Sequence, residues 1–79
     1  MKKSLLVLAY NEESYLNDVI NSYSSLFNEI IVVNDKSTDS TQNILLKLEN
    51  LYPNLNVINN QKNLGAGKSF EIGINHFIL

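Results

Sequence analysis

Residues 29–41 read EIIVVNDKSTDST. Ile30, Ile31, Val32 and Val33 form an unbroken run of β-branched residues, the composition of a short buried strand over Glu29–Asn34. At Asp35 the run gives way to a polar loop. Asp39 and Gln42 then have the spacing of a capping box for a following helix. The apolar face of that helix is Ile44, Leu45, Leu48, Leu51 and Tyr52, and Pro53 ends it. The same strand–loop–helix unit is found on either side. SLLVLA (Ser4–Ala9) is a nearly continuous apolar run. A helical pattern starts at Glu13, with Leu16, Val19, Ile20, Tyr23 and Phe27 on one face. Asn11 suits its N-cap, and Glu12 and Glu13 suit the positive end of its dipole. NVIN (Asn56–Asn59) is a third, weaker strand. The loop NQKNLGAG follows, and a third helix is predicted from about Lys68, with Phe70, Ile74, Phe77 and Ile78 on one stripe. The order βαβαβα with short connections implies a parallel sheet with right-handed crossovers, a three-layer Rossmann-like α/β fold.

The composition narrows the function classes. At 79 residues the chain holds one small domain at most. Its net charge is -2, and its six basic residues are scattered lysines. That argues against a nucleic-acid surface, which needs clustered Lys and Arg. There is no cysteine, so disulfides and thiolate metal sites are excluded. The opening MKKSLLVLAYNEES imitates a signal peptide, but its apolar run is shorter than the roughly 7–15 residues required, and acidic residues follow at once. No stretch approaches the roughly 20 apolar residues of a membrane span.

In open parallel sheets, ligands bind beyond the carboxyl ends of the strands. All three ends carry polar or glycine-rich sequence: AYNEE, NDKSTDS and NQKNLGAGKS. Tyr10 suits either packing at the strand end or stacking on a nucleobase. Asp39 reads as a helix cap. Asp35 reads either as a turn former or as a carboxylate that accepts a base or ribose hydrogen bond. DKSTD is not a calcium loop, because the sixth position is not glycine and the twelfth is Leu46. Nor does GAGKS complete an ATP phosphate loop, since Lys62 stands where the first glycine of that motif belongs. His76 reads as a partly buried helix residue, and with Ser37 and Ser40 it makes no nucleophile signature.

Taken in order, LLVLAYNEE, EIIVVNDKSTDST and NVINNQKNLGAGKSFEIG resemble the N-terminal part of family 2 glycosyltransferases, inverting nucleotide-sugar enzymes with a GT-A fold. The family's typical forms are P-x-Y-N-E, D-D-G-S-T-D and N-x-G, each after a strand. This sequence departs from them at Leu8, Asn34 and Lys36, which stand in place of Pro, the first Asp and Gly. The resemblance implies a nucleotide-binding set of Ala9, Tyr10, Asn11, Glu12, Asp35, Gly65 and Lys68. Tyr10 would lie against the base of a UDP- or GDP-sugar and Asp35 would contact it. Gly65 would allow close backbone approach, with Lys68 near the nucleotide. The remaining readings are a P-loop-like NTP-binding module or a non-catalytic α/β remnant.

The resemblance also defines what lies outside the 79 residues. Family members hold Mg²⁺ or Mn²⁺ through an Asp-x-Asp motif after a fourth strand, and a later carboxylate serves as general base. Residues 1–79 are therefore expected to be a partial domain of a longer enzyme, with no catalytic residue and no metal ligand, inactive alone. In the family that next strand pairs beside strand one, so an isolated Ser4–Ala9 is expected to be an apolar edge that invites self-association. The intact protein is expected in the cytoplasm or at the cytoplasmic face of a membrane, building cell-envelope polysaccharide on a glycan or lipid acceptor.

Overall fold

A computed structural model describes residues 2–78. Three strands, β1 (Ser4–Ala9), β2 (Glu29–Asn34) and β3 (Leu55–Asn59), alternate with three helices, α1 (Leu16–Tyr23), α2 (Thr41–Leu51) and α3 (Ala66–Ile78). The sheet is parallel throughout, in the order β1-β2-β3. Leu5 pairs with Ile30 and Ile30 with Leu55, so the three strand ends finish level at Ala9, Asn34 and Asn59.

The alternation of side chains along each strand builds two cores. Leu5, Val7, Ala9, Ile30, Val32, Leu55 and Val57 face α1 and α2, meeting Leu16, Ile20, Leu45 and Leu48. The intervening residues Leu6, Leu8, Ile31, Val33 and Ile58 form the opposite face, where α3 packs on β1 and β2. Helices on both faces make three layers and leave Ile30 to Val33 with no exposed surface. Burying each such side chain is worth about 1.5–3 kcal/mol, which is why this run sets the fold. Helix α3 lies close to the sheet because its inner positions, Ser69 and Gly73, are small. A Cβ at Gly73 would sit 2.4 Å from a Leu6 methyl.

Several boundaries and faces differ from the sequence expectation. Helix α1 begins at Leu16, not Glu13. Asn11 does not cap it, because its backbone is left-handed (φ 55°) and its side chain is committed across to another loop. Phe27 lies beyond α1 but still packs on the core. At α2 the N-cap is Ser40, with no side-chain cap bond, so the expected Asp39–Gln42 box is not the cap: Asp39 Oδ1 accepts the Thr41 amide (2.9 Å) and the Ser40 amide donates to Glu13 Oε2 (3.2 Å). Leu51 is 67% exposed, off the buried face. β3 starts one residue earlier, at the buried Leu55, and α3 starts at Ala66. Phe70 is 53% exposed, His76 is exposed, and the Ile78 side chain lies outside the described residues.

The two sheet edges differ. Along β3, Glu49 Oε2 of α2 accepts the Val57 amide (3.2 Å). No strand among the described residues pairs with the outer edge of β1. No helix among them is long and apolar enough to cross a membrane.

Candidate functional site

The three strand-end loops converge at one edge of the sheet and bind one another. Asn11 joins the first to the second. Its Oδ1 accepts the Thr38 amide (2.8 Å), its Nδ2 donates to Thr38 Oγ1 (3.2 Å), and its own amide donates to Ser37 Oγ (3.0 Å). The Glu12 amide donates to Oγ1 of the buried Thr41 (2.9 Å). A left-handed backbone at Asn11 is what lets both its amide and its side chain face the second loop.

Asp35 joins the second loop to the third. It sits one residue past the end of β2, with its own amide donating to the Ala9 carbonyl (2.8 Å). Its side chain is buried, 6% exposed. Oδ1 accepts the Leu64 amide (2.7 Å) and Asn60 Nδ2 (2.9 Å), and Oδ2 accepts the Gly65 amide (2.8 Å). Asn63 Nδ2 donates to the Asp35 carbonyl (3.2 Å). Gly65 supplies the positive φ (88°) that turns the Leu64 and Gly65 amides toward one carboxylate. The Leu64 amide, followed by the Asn60 amide group, holds the Asp35 carboxyl below the usual carboxylate range, against the opposing effect of burial. Asp35 is therefore an ionised, acceptor-only group at neutral pH.

Asn34, which stands in place of an aspartate, makes one bond that an ionised aspartate could not, the donation from its amide nitrogen. Its Nδ2 donates to Asn59 Oδ1 (3.0 Å), while its Oδ1 accepts from the Ser37 amide (3.2 Å) and hydroxyl. Asp39 is also held below the ordinary range. Burial pushes it up, but the Thr41 hydroxyl and amide prevail. A hydrogen bond to the Glu12 carboxylate raises the Tyr15 hydroxyl above its usual pKa.

Between these loops lies a cleft of about 210 Å³, lined by Leu8, Ala9, Tyr10, Glu12, Asp35, Ala66 and Ser69. Four residues expected from the sequence meet there: Ala9, Tyr10, Glu12 and Asp35. Tyr10 is 46% exposed, so its ring stands at the mouth rather than in the core. Asn11 and Gly65 do not line the cleft; they hold the loops that do. Lys68 does not line it either, and is exposed and paired with Glu71 at 3.5 Å. Leu8, Ala66 and Ser69 were not anticipated. Ala66 enters because α3 begins two residues earlier than its apolar stripe suggests, and Ser69 lies in that helix's first turn.

The family model for glycosyl transferase family 2 matches residues 4–77. The chain belongs to that family. An uncharacterized glycosyltransferase of Haemophilus influenzae is 40% identical over 94% of this chain and 24% of its own length. Dolichyl-phosphate beta-glucosyltransferase ALG5A of Trichomonas vaginalis is 34% identical over 92% of the chain and 26% of its own. The crystal structure of S. aureus TarS 1-349 in complex with UDP superposes with a TM-score of 0.81 at 34% identity, covering 96% of this chain and 24% of that one. The described fold is thus that of the N-terminal part of the GT-A domain. This family 2 chain spans about a quarter of the length of these relatives. Family 2 members commonly use a divalent metal. Among the described residues no group of three or more His, Asp or Glu side chains is placed to hold a metal ion.

Proposed function

We propose that this chain is the nucleotide-recognition part of a family 2 glycosyltransferase, binding the base and ribose of a UDP- or GDP-sugar in the cleft between Tyr10, Asp35 and α3. The observation that carries the reading is the ionised Asp35 carboxylate lining that cleft. Oδ1 is occupied by two donors, while Oδ2 accepts one and retains acceptor capacity for a ring N–H. Uracil and guanine both present such an N–H. Tyr10 offers a flat ring for stacking. The cleft is smaller than the roughly 300–1,000 Å³ of a whole small-molecule site, which suits one end of the donor. The UDP complex of the S. aureus relative supports the nucleotide class.

In the intact protein an acceptor hydroxyl would attack the anomeric carbon and displace the nucleoside diphosphate with inversion. The described residues contribute no base to that step. They hold the nucleotide and exclude water from its base. Residues 1–79 are in this reading one partial domain, inactive alone. Mg²⁺ or Mn²⁺ would act at the diphosphate in the intact enzyme, held by residues beyond these. A glycan or lipid acceptor is the corresponding partner, and the dolichyl-phosphate relative supports the lipid class. The intact protein would work in the cytoplasm or at the cytoplasmic face of a membrane. An ATP cradle has less support, since Lys68 is engaged with Glu71 outside the cleft.

The test is an amide NMR titration of the ¹⁵N-labelled chain with UDP, GDP and ATP in turn. UDP or GDP is expected to shift Tyr10, Asp35, Gly65 and Ser69. Equal response to all three nucleotides, or none, defeats the reading.

A further inference from the structure

Asn60 occupies the position after β3 that corresponds to Asp35 after β2, because Asn34 and Asn59 are paired in register. Its amide donates to the Asn34 carbonyl (2.9 Å), so the sheet itself fixes where its side chain begins. That side chain is buried, 8% exposed, and does not line the cleft. Its single nitrogen donates twice, to Asp35 Oδ1 (2.9 Å) and to Ser69 Oγ (3.1 Å). Both acceptors line the cleft, one from the end of β2 and the other from the first turn of α3. Ser69 is 1% exposed, so this contact cannot be exchanged for solvent.

We propose that Asn60 is a positioning residue for nucleotide recognition, setting the spacing and orientation of Asp35 against α3 without touching the ligand. The proposal rests on the reading that Asp35 accepts from the base. The Leu64 and Gly65 amides belong to a loop and move with it. Asn60 is the donor attached to the sheet, and its one nitrogen bridges the carboxylate to Ser69 of the helix, whose hydroxyl also bears on Asp35. The chemistry is specific to an amide. An ionised Asp there has no proton to donate, and an apolar side chain would leave the buried Asp35 and Ser69 oxygens each one donor short.

The measurement is the UDP-to-CDP affinity ratio by amide NMR titration, because cytosine presents a lone pair where uracil presents an N–H. Wild type is expected to prefer UDP. If it binds UDP but shows no preference, the base-contact reading fails before Asn60 is tested. Given a preference, Asn60→Ala should reduce the ratio about tenfold, while loss of fold stability alone would weaken both nucleotides equally and overturn the proposal. Asn60→Asp preserves volume and adds a pH readout. The other titratable groups at this edge are Asp35, Glu12 and Tyr10. Two adjacent carboxyls share a proton more readily as pH falls, so the ratio should be low at pH 8 and partly recovered at pH 5. A ratio in Asn60→Asp that equals wild type at both pH values also overturns the proposal. Dispersed amide spectra establish that each variant is folded. Should Asn60→Ala not fold, the Asn60→Asp profile decides.

Discussion

At the scale of single residues, this edge of the sheet is held by side chains doing backbone work. Asp35 gathers two loop amides, Asn11 spans two loops, and Asn34 pairs with Asn59. Because Asp35 is depressed in the folded state, the stability it contributes is present above its unfolded pKa of about 3.9 and is lost as pH falls through the lower folded value. Melting temperatures of wild type and Asp35→Asn should therefore be well separated at pH 6 and converge toward pH 2; parallel curves would count against this assignment. Lys36 has φ 60° and is exposed, with no side-chain bond that calls for that conformation. Lys36→Gly should raise stability by about 1 kcal/mol, seen as a higher thermal midpoint. Asn11→Gly should lower it, although φ is as unfavourable there, because the Thr38 bonds go with the side chain. Asp35, Tyr10 and Glu12 were legible as candidates because they follow strand ends. That Asp35 also ties down residues 64 and 65 was not, since the partner loop lies about thirty residues away and only the fold brings it near.

At the scale of elements, hydrophobic periodicity found all six and set the order, because the strands are short, apolar and bounded by polar loops. It misplaced the inner face of α3. Phe70, Ile74 and Phe77 draw the eye, yet Phe70 is exposed and the buried positions are Ser69 and Gly73. Small residues carry no hydrophobic signal, and the need for them is set by Leu6 on the facing strand. The start of α1 was missed for a related reason: Asn11 and Glu12 serve the second loop before they serve a helix. Gly73→Ala tests the packing. Helix propensity favours alanine by about 1 kcal/mol, but a Cβ 2.4 Å from one Leu6 methyl, with Leu6 Cγ at 3.3 Å, overpacks the contact. Overpacking costs about 1–3 kcal/mol, so the variant should be less stable by about 1 kcal/mol. Adding Leu6→Val should recover most of the loss. If Gly73→Ala melts higher than wild type, the helix–strand approach is looser than described.

At the scale of the whole molecule, the radius of gyration is 11.7 Å, against about 11.6 Å expected for a complete domain of this length. The described part is therefore as compact as a domain of its length. Its outer surface is less settled. Sedimentation of the 79-residue chain at several hundred micromolar should show association through Ser4–Ala9, and a monomer throughout would contradict that. A Ser4→Lys substitution at the exposed start of the strand should suppress it, since an edge lysine opposes strand addition.

The Glu49 bond on β3 determines how far such growth can run. With the Val57 amide on one edge already answered by a carboxylate, and no strand among the described residues on the other, two copies are expected to meet β1 to β1 across a two-fold axis. Each copy then uses its β1 edge, and the six-stranded product ends in two β3 edges, each with its Val57 amide already bonded. Assembly of this kind has a fixed stoichiometry: it stops at a pair. Glu49→Ala would free the Val57 amide and ease the addition of further copies at β3, turning a pair toward a polymerising unit.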